Sequence, residues 1–189
     1  MSQKITIGGH GGVGGNGYRA FAYAFNPDTH DYKGFSAFDA LFEALIDGSI
    51  DKVVVPYENS IIGKTEPVQS VLHDLKARGL DLNEEGGFSI PIYHALIAGP
   101  SASKSKVKKV YSYALALDQC SGAIDDMGLE RVEFEDAHAA VVHVVGRNRQ
   151  DEAALGPIDA AEKLGAKILK DDMSNSENNM MQYKVFSLG

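Results

Sequence analysis

A single cysteine, Cys120, in 189 residues excludes an internal disulfide and suits a reducing compartment. Alone, it reads as a small buried apolar side chain. Basic charge is also scarce. Eighteen Lys and Arg stand against 26 Asp and Glu, and the net charge of −8 repels nucleic acid and anionic membranes. No apolar run approaches bilayer-spanning length, and Met1-Ser2-Gln3-Lys4-Ile5 lacks the apolar centre of a secretory signal. Secretion and membrane insertion are therefore not expected, and a cytoplasmic location is. No G-x-S-x-G elbow is present, which argues against an α/β-hydrolase. The histidines at 10, 30, 73, 94, 138 and 143 form no H-x-x-x-H pair or carboxylate triad at metal spacing. Neither a metal nor a cofactor is expected.

What is present describes an ordinary globular chain, 44% hydrophobic and 23% charged, without repeats or low-complexity linkers. Ile5-Thr6-Ile7 reads as a short strand entering a glycine run, and a helix follows over residues 19–25 until Asn26-Pro27-Asp28 breaks it. Phe38, Leu41, Phe42, Leu45 and Ile46 recur at helical spacing before Asp47-Gly48. Val53 to Val55 is a strand ended by Pro56, and Val68, Val71, Leu72 and Leu75 mark a helix closing near Arg78-Gly79. Residues 88–98 read as one extended strand, and residues 107–112 and 131–134 as strands around a helix at 116–127. A buried helix over 136–146, a strand at 153–157, a helix over 158–164 and strands at 165–169 and 183–188 complete the chain.

Strands alternating with helices define an α/β class. Crossings near residues 75–82 and 154–160 divide the chain into one lobe of 1–78 plus 160–189 and a second of 79–159. A chain that crosses twice places both termini in one lobe and leaves a cleft between the two.

Two stretches can carry chemistry. Gly8-Gly9-His10-Gly11-Gly12-Val13-Gly14-Gly15-Asn16-Gly17 formally contains G-x-G-x-x-G after a strand. A dinucleotide site also needs a second strand ending in an acidic residue, and residues 26–33 read as a polar turn without one. The loop is left as an anion cradle built from backbone N–H groups or as a structural turn. His10 lies at this loop, where a titrating side chain would face the cleft. His94, flanked by apolar residues, reads as a buried, hydrogen-bonded histidine. The second stretch is Val53-Val54-Val55-Pro56-Tyr57-Glu58-Asn59-Ser60-Ile61-Ile62-Gly63-Lys64. Asn59 and Ser60 can donate and accept hydrogen bonds, Gly63 lets a ligand approach the backbone, and Lys64 can meet an anion. Each also has a plain alternative, a hydrogen-bonded turn for Asn59 and Ser60 and a solvated surface residue for Lys64.

Pro56-x-Glu58-Asn59-Ser60-x-x-Gly63 resembles the P-x-E-N-S-x-x-G signature of the prephenate dehydratases. Ile92-Tyr93-His94-Ala95-Leu96 is similar to that family's I-x-H-x-L. Val110-Tyr111-Ser112 with Ala116-Leu117-Asp118-Gln119-Cys120 matches most of its V-Y-S-H-P-Q-A-L-x-Q-C. Ala139-Ala140, residues 153–161 and Leu164-Gly165-Ala166-Lys167-Ile168-Leu169 continue the match in order. The resemblance implies a fold like the type II periplasmic binding proteins, two α/β lobes around a substrate cleft. It also implies a small anionic substrate and a homo-oligomer, a dimer. The regulatory ACT domain that usually follows is not expected, because the chain stops at Leu188-Gly189.

The departures from the family pattern are chemical. The family's N-x-T-R-F falls on Asn179-Met180-Met181-Gln182-Tyr183, so threonine is replaced by Met181 and arginine by Gln182. Of S-H-P-Q only Ser112 remains, followed by Tyr113-Ala114-Leu115. Dehydration of prephenate expels the ring hydroxyl as carbon dioxide leaves, which needs a proton donor for the departing oxygen. A thioether cannot donate, and a neutral amide cannot replace an arginine fork on a carboxylate. Each loss costs on the order of 2–4 kcal/mol of transition-state stabilisation.

The expectation is a lyase acting on prephenate or a close cyclohexadiene acid by decarboxylation without dehydration. Natural-product pathways use such relatives, so the resemblance implies a place in aromatic amino acid biosynthesis or in secondary metabolism, antibiotic biosynthesis included. Ordinary dehydration to phenylpyruvate and a non-catalytic anion-binding module are the alternatives. Asn59, Ser60, Lys64 and His10 are the candidate catalytic residues. Candidate substrate contacts are Gly11, Gly12, Glu58 and Gly63, then Ser112 and Tyr113, and finally Asn179, Met181, Gln182 and Tyr183.

Overall fold

Alternation along Val53-Val54-Val55 sends Val53 and Val55 into one apolar cluster and Val54 into another, and all three are fully buried. A strand with both faces covered belongs in the middle of an α/β sheet. The computed structural model describes residues 4–176 and 178–189; Met1–Gln3 of the segment read for a secretory signal lie outside them. The described residues form, in chain order, β1 (Ile5–His10), α1 (Asn16–Ala24), β2 (His30–Phe35), α2 (Phe38–Ile46), β3 (Lys52–Asn59), β4 (Gly63–Lys64), α3 (Glu66–Ala77) and β5 (Leu82–Pro91). They continue as β6 (Ala95–Ala98), β7 (Lys109–Ser112), α4 (Ala114–Gln119), α5 (Ser121–Asp126), β8 (Glu130–Glu133), α6 (Ala137–Arg147), β9 (Glu152–Gly156), α7 (Ile158–Leu164), β10 (Lys167–Lys170) and β11 (Met180–Leu188).

Two compact units result. The first runs to Pro91 and takes back Met180–Gly189; the second is Ile92–Asn179. In the first, the sheet order is β2-β1-β3-β11-β5, with β4 paired to β3. β1 runs parallel to β2 and β3, and β11 is antiparallel to β3 and β5. One face packs on α1 through Ile7, Phe21, Val54 and Tyr183. The other packs on α2 and α3 through Leu41, Leu45, Val53, Val55, Val68 and Phe186. The second unit repeats the plan with the order β10-β6-β9-β7-β8 and a core on each face. Its α6 starts at Asp136, whose carboxylate accepts from Ala139 N at 2.7 Å, a cap that stabilises a helix by about 1 kcal/mol.

Several sequence expectations need correction. The crossings lie at Pro91/Ile92 and Asn179/Met180, not near 78 and 159. Residues 160–179 stay in the second unit because α7 packs Ala160 and Ala161 onto Ala95 and Ile97, and β10 pairs with β6. The strand expected over 88–98 is two strands in two units, since Pro91 ends β5. The polar segment expected to be a turn contains β2, paired with β1 over six residues. As an edge strand with alternating half-buried and exposed side chains, it needs no apolar run. The single helix expected over 116–127 breaks at Cys120. There Asn175 bonds the freed backbone, accepting from Gly122 N at 2.9 Å and donating to Asp118 O at 3.1 Å.

Candidate active site

β3 does not stop at Pro56 but continues to Asn59. Its register on β11 pairs Pro56 with Tyr183 and Glu58 with Gln182, leaving Tyr57 as an extra residue. A bulge is where a sheet tolerates proline, and one extra residue reverses the faces beyond it. Tyr57 packs with the α2–α3 core, as alternation from Val53 and Val55 requires. Asn59 would follow it, but the bulge turns Asn59 to the other face, opposite Met181. Met181 packs against the α1-side core with Ile90 and Tyr183. Glu58, paired with both Gln182 and Lys64, shares the opposite face with them.

Asn59 is 2% exposed. Its Oδ1 accepts from the backbone N–H of Ile61 at 2.9 Å and of Ile62 at 3.3 Å, and its Nδ2 donates to Met180 O at 3.2 Å. The side chain thus holds the tip of the β3–β4 hairpin against the first residue of β11. Ser60 completes the joint, with its N–H on Met180 O and its Oγ accepting from Met180 N, both at 2.9 Å. Gly63 has φ +77°, the left-handed conformation that closes the hairpin. The side chains of Lys64 and Gln182 are exposed, with no hydrogen bond or ion pair among the described residues. Ile61 and Ile62 project at the tip, 45% and 44% exposed.

The glycine loop is mostly structural. Gly11 N donates to Phe35 O at 2.8 Å, Gly15 N donates to Gly12 O at 3.1 Å, and Tyr32 Oη donates to Gly11 O at 2.8 Å. Two of the N–H groups proposed to cradle an anion are therefore occupied, whereas Gly12 is exposed. A Cβ on Gly17 would lie 2.3 Å from His10 O, which explains that glycine by packing. His10 stacks on Phe38 with ring centroids 4.7 Å apart, and its Nε2 lies 3.2 Å from Ser36 O. Tyr183, expected at the substrate, is instead a core ring, 1% exposed and stacked on Phe88.

In the second unit Ser112 is fully buried, and its Oγ donates to Leu155 O at 3.1 Å, tying β7 to β9 rather than offering a hydroxyl. Tyr113 is half-buried at the start of α4. Asn179, 3% exposed, donates from Nδ2 to Gln119 Oε1 at 3.2 Å. His94 Nε2 reaches that same oxygen at 2.8 Å. His94 is buried and hydrogen-bonded, as the sequence suggested, and burial lowers its pKa below the ordinary histidine value despite Gln119 and Asp172 pulling it upward. Sequence reasoning passed over Gln119. Its signal was the quoted L-x-Q-C segment, in which the glutamine keeps its family position directly before Cys120. Cys120 beside it is buried, and its thiol is pushed up to about 12, first by burial and then by the Asp172 charge.

Among the described residues, no group of three or more His, Cys, Asp or Glu could hold a metal ion, and no helix is long and apolar enough to cross a membrane.

These two α/β units belong to the class of fold seen in periplasmic binding proteins. A putative methionine-binding lipoprotein from Bacillus subtilis superposes with a TM-score of 0.51 at 11% identity, over 98% of this chain and 84% of that one. A much closer fold is the prephenate dehydratase from Arthrobacter aurescens, solved in complex with L-Phe. Its TM-score is 0.84 at 23% identity, over 98% of this chain and 61% of that one. The model of the prephenate dehydratase family matches residues 7–188, and the chain belongs to that family. An arogenate dehydratase/prephenate dehydratase from Arabidopsis thaliana is 29% identical over 150 residues, 79% of this chain. The chain spans 37% of that relative's length.

Proposed function

We propose that this chain is a lyase acting on prephenate or a closely related cyclohexadiene carboxylate, and that it removes carbon dioxide while leaving the ring hydroxyl in place. The observation that carries this reading is Met181 directly opposite Asn59, where the family pattern has threonine. At that position a hydroxyl could protonate a departing oxygen, and a thioether cannot. Gln182, the neutral replacement for arginine, lies beside Glu58 on the other face of the strand. The two substitutions therefore act separately, one on proton delivery and one on carboxylate binding.

The step balances without a cofactor. The bond from the ring to its carboxylate breaks, carbon dioxide departs, and the released electron pair moves through the diene to a ring carbon that takes one proton. The product keeps its hydroxyl and its pyruvyl carboxylate. An apolar methionine favours the change from carboxylate to neutral carbon dioxide by excluding water. Lys64, exposed on the hairpin, is a cation suited to the remaining carboxylate. His10 and Lys64 are the candidate proton donors to the ring carbon. Asn59 and Ser60 shape the hairpin that presents Lys64. A role in secondary metabolism, including antibiotic biosynthesis, accords with a non-aromatic product.

The second reading is ordinary dehydration, which the relatives' names favour. The double variant Met181→Thr/Gln182→Arg separates the two. Under the decarboxylase reading it gains phenylpyruvate formation by at least about 100-fold, the effect of restoring one donor alone. Phenylpyruvate from the unmodified chain at an undiminished rate would refute that reading. Binding without any product would mean a non-catalytic module.

A further inference from the structure

Three separate stretches of the second unit meet at one buried oxygen. Gln119 is 7% exposed, and its Oε1 accepts from His94 Nε2 at 2.8 Å and from Asn179 Nδ2 at 3.2 Å. Two bonds fill the carbonyl's two acceptor sites. The NH2 group of the same amide has no partner among the described residues, and it is not one of the fully buried polar atoms left unsatisfied. A donor pair that is neither bonded to protein nor sealed from solvent is available to a ligand.

The orientation of an amide is not fixed by shape, since its oxygen and nitrogen are nearly the same size. It is fixed here by a neighbour on a rigid mount. His94 N lies 3.4 Å from Asp172 Oδ1, and His94 O accepts from Met173 N at 2.8 Å. Asp172 Oδ1 is itself held by Ser174 N at 2.9 Å and Ser174 Oγ at 2.6 Å.

We propose that His94 is a positioning residue: by donating from Nε2 to Gln119 Oε1 it turns the Gln119 amide so that its NH2 group faces an anionic group of the substrate. The inference rests on the reading that the ligand is a carboxylate such as prephenate. It adds that the neutral tautomer of His94 with the proton on Nε2, seconded by the longer bond from Asn179 Nδ2, sets the second unit to offer a donor rather than an acceptor.

The test compares the unmodified chain with His94→Phe, which keeps a ring but no donor, and His94→Gln, which keeps an N–H near Nε2. Prephenate binding is measured by calorimetry, and the Gln119 side-chain amide and the His94 ring nitrogens are followed by 15N NMR. Loss of the positioning bond is expected to weaken binding about tenfold in His94→Phe and less than about threefold in His94→Gln. Equal binding by His94→Phe, or a His94 proton found on Nδ1, overturns the inference. If the unmodified chain does not bind prephenate, sodium formate serves as a minimal carboxylate. A formate-induced shift of the Gln119 NH2 that vanishes in His94→Phe then keeps the inference while the substrate reading fails. No shift with either probe overturns both. Should His94→Phe not fold, binding by His94→Gln within about threefold supports the proposal and tenfold weaker binding refutes it.

Discussion

Asn59 of β3 stands directly opposite Met181 of β11, and a single extra residue in β3 puts it there. Without the bulge at Tyr57, simple alternation from Val53 and Val55 would send Asn59 to the α2–α3 face. The side chain that the sequence singles out is thereby placed beside the position where the family's threonine is missing. It also acts as the joint of the hairpin that follows.

Asn59→Ala removes the acceptor for two backbone N–H groups and the donor to Met180 O. A loss of about 2–3 kcal/mol in unfolding free energy is expected from urea titration, because buried backbone groups are left unsatisfied. Asn59→Asp keeps the acceptor and should recover about half of that loss. Unchanged stability in Asn59→Ala would show that the hairpin tip does not depend on this side chain.

Gly63→Ala isolates the backbone cost of the left-handed turn, since a Cβ there meets nothing within 4 Å. The expected destabilisation is about 1–2 kcal/mol. Gly17→Ala is the contrasting case. Its Cβ would come 2.3 Å from the backbone oxygen of His10, and the variant should lose more stability than Gly63→Ala in the same titration.

Much of the fold could be read from the chain. The α2 helix matches its apolar spacing from Phe38 to Ile46, and α7 matches from Ile158 to Leu164. What could not be read depends on partners distant in sequence. β2 is a strand because β1 pairs with it, although His30, Asp31 and Lys33 carry no strand pattern. The helix break at Cys120 depends on Asn175, more than fifty residues away. Among the site candidates, Asn59, Ser60, Gly63 and Lys64 are brought together on one hairpin. Ser112 and Tyr183 are candidates only through the family motifs that they match, and the sequence does not show that sheet pairing buries one and aromatic packing the other.

His94 links stability to pH. Its folded pKa is depressed, so the unfolded chain binds the proton more tightly. The stability contributed by the neutral imidazole is fully present above its unfolded pKa of about 6.5 and declines as pH falls from there through the folded value. Gln119 and Asp172 are the partners that limit the depression. Melting temperature should fall between pH 7 and pH 5, and this component should be absent in His94→Gln. A slope unchanged by His94→Gln would assign the effect to other groups.

Cys120 should resist thiol reagents. With its thiol pushed up to about 12 by burial, almost none is thiolate at pH 8. Labelling with a disulfide reagent is expected to be negligible in the native chain and complete in urea. Rapid native labelling would contradict a sealed core in the second unit.

The most direct measurement is the product formed from prephenate by the unmodified chain at neutral pH, identified by NMR. The account predicts a non-aromatic ring that keeps its hydroxyl and has lost its ring carboxylate. Phenylpyruvate as the product would contradict it, because dehydration would then proceed with Met181 in the threonine's place.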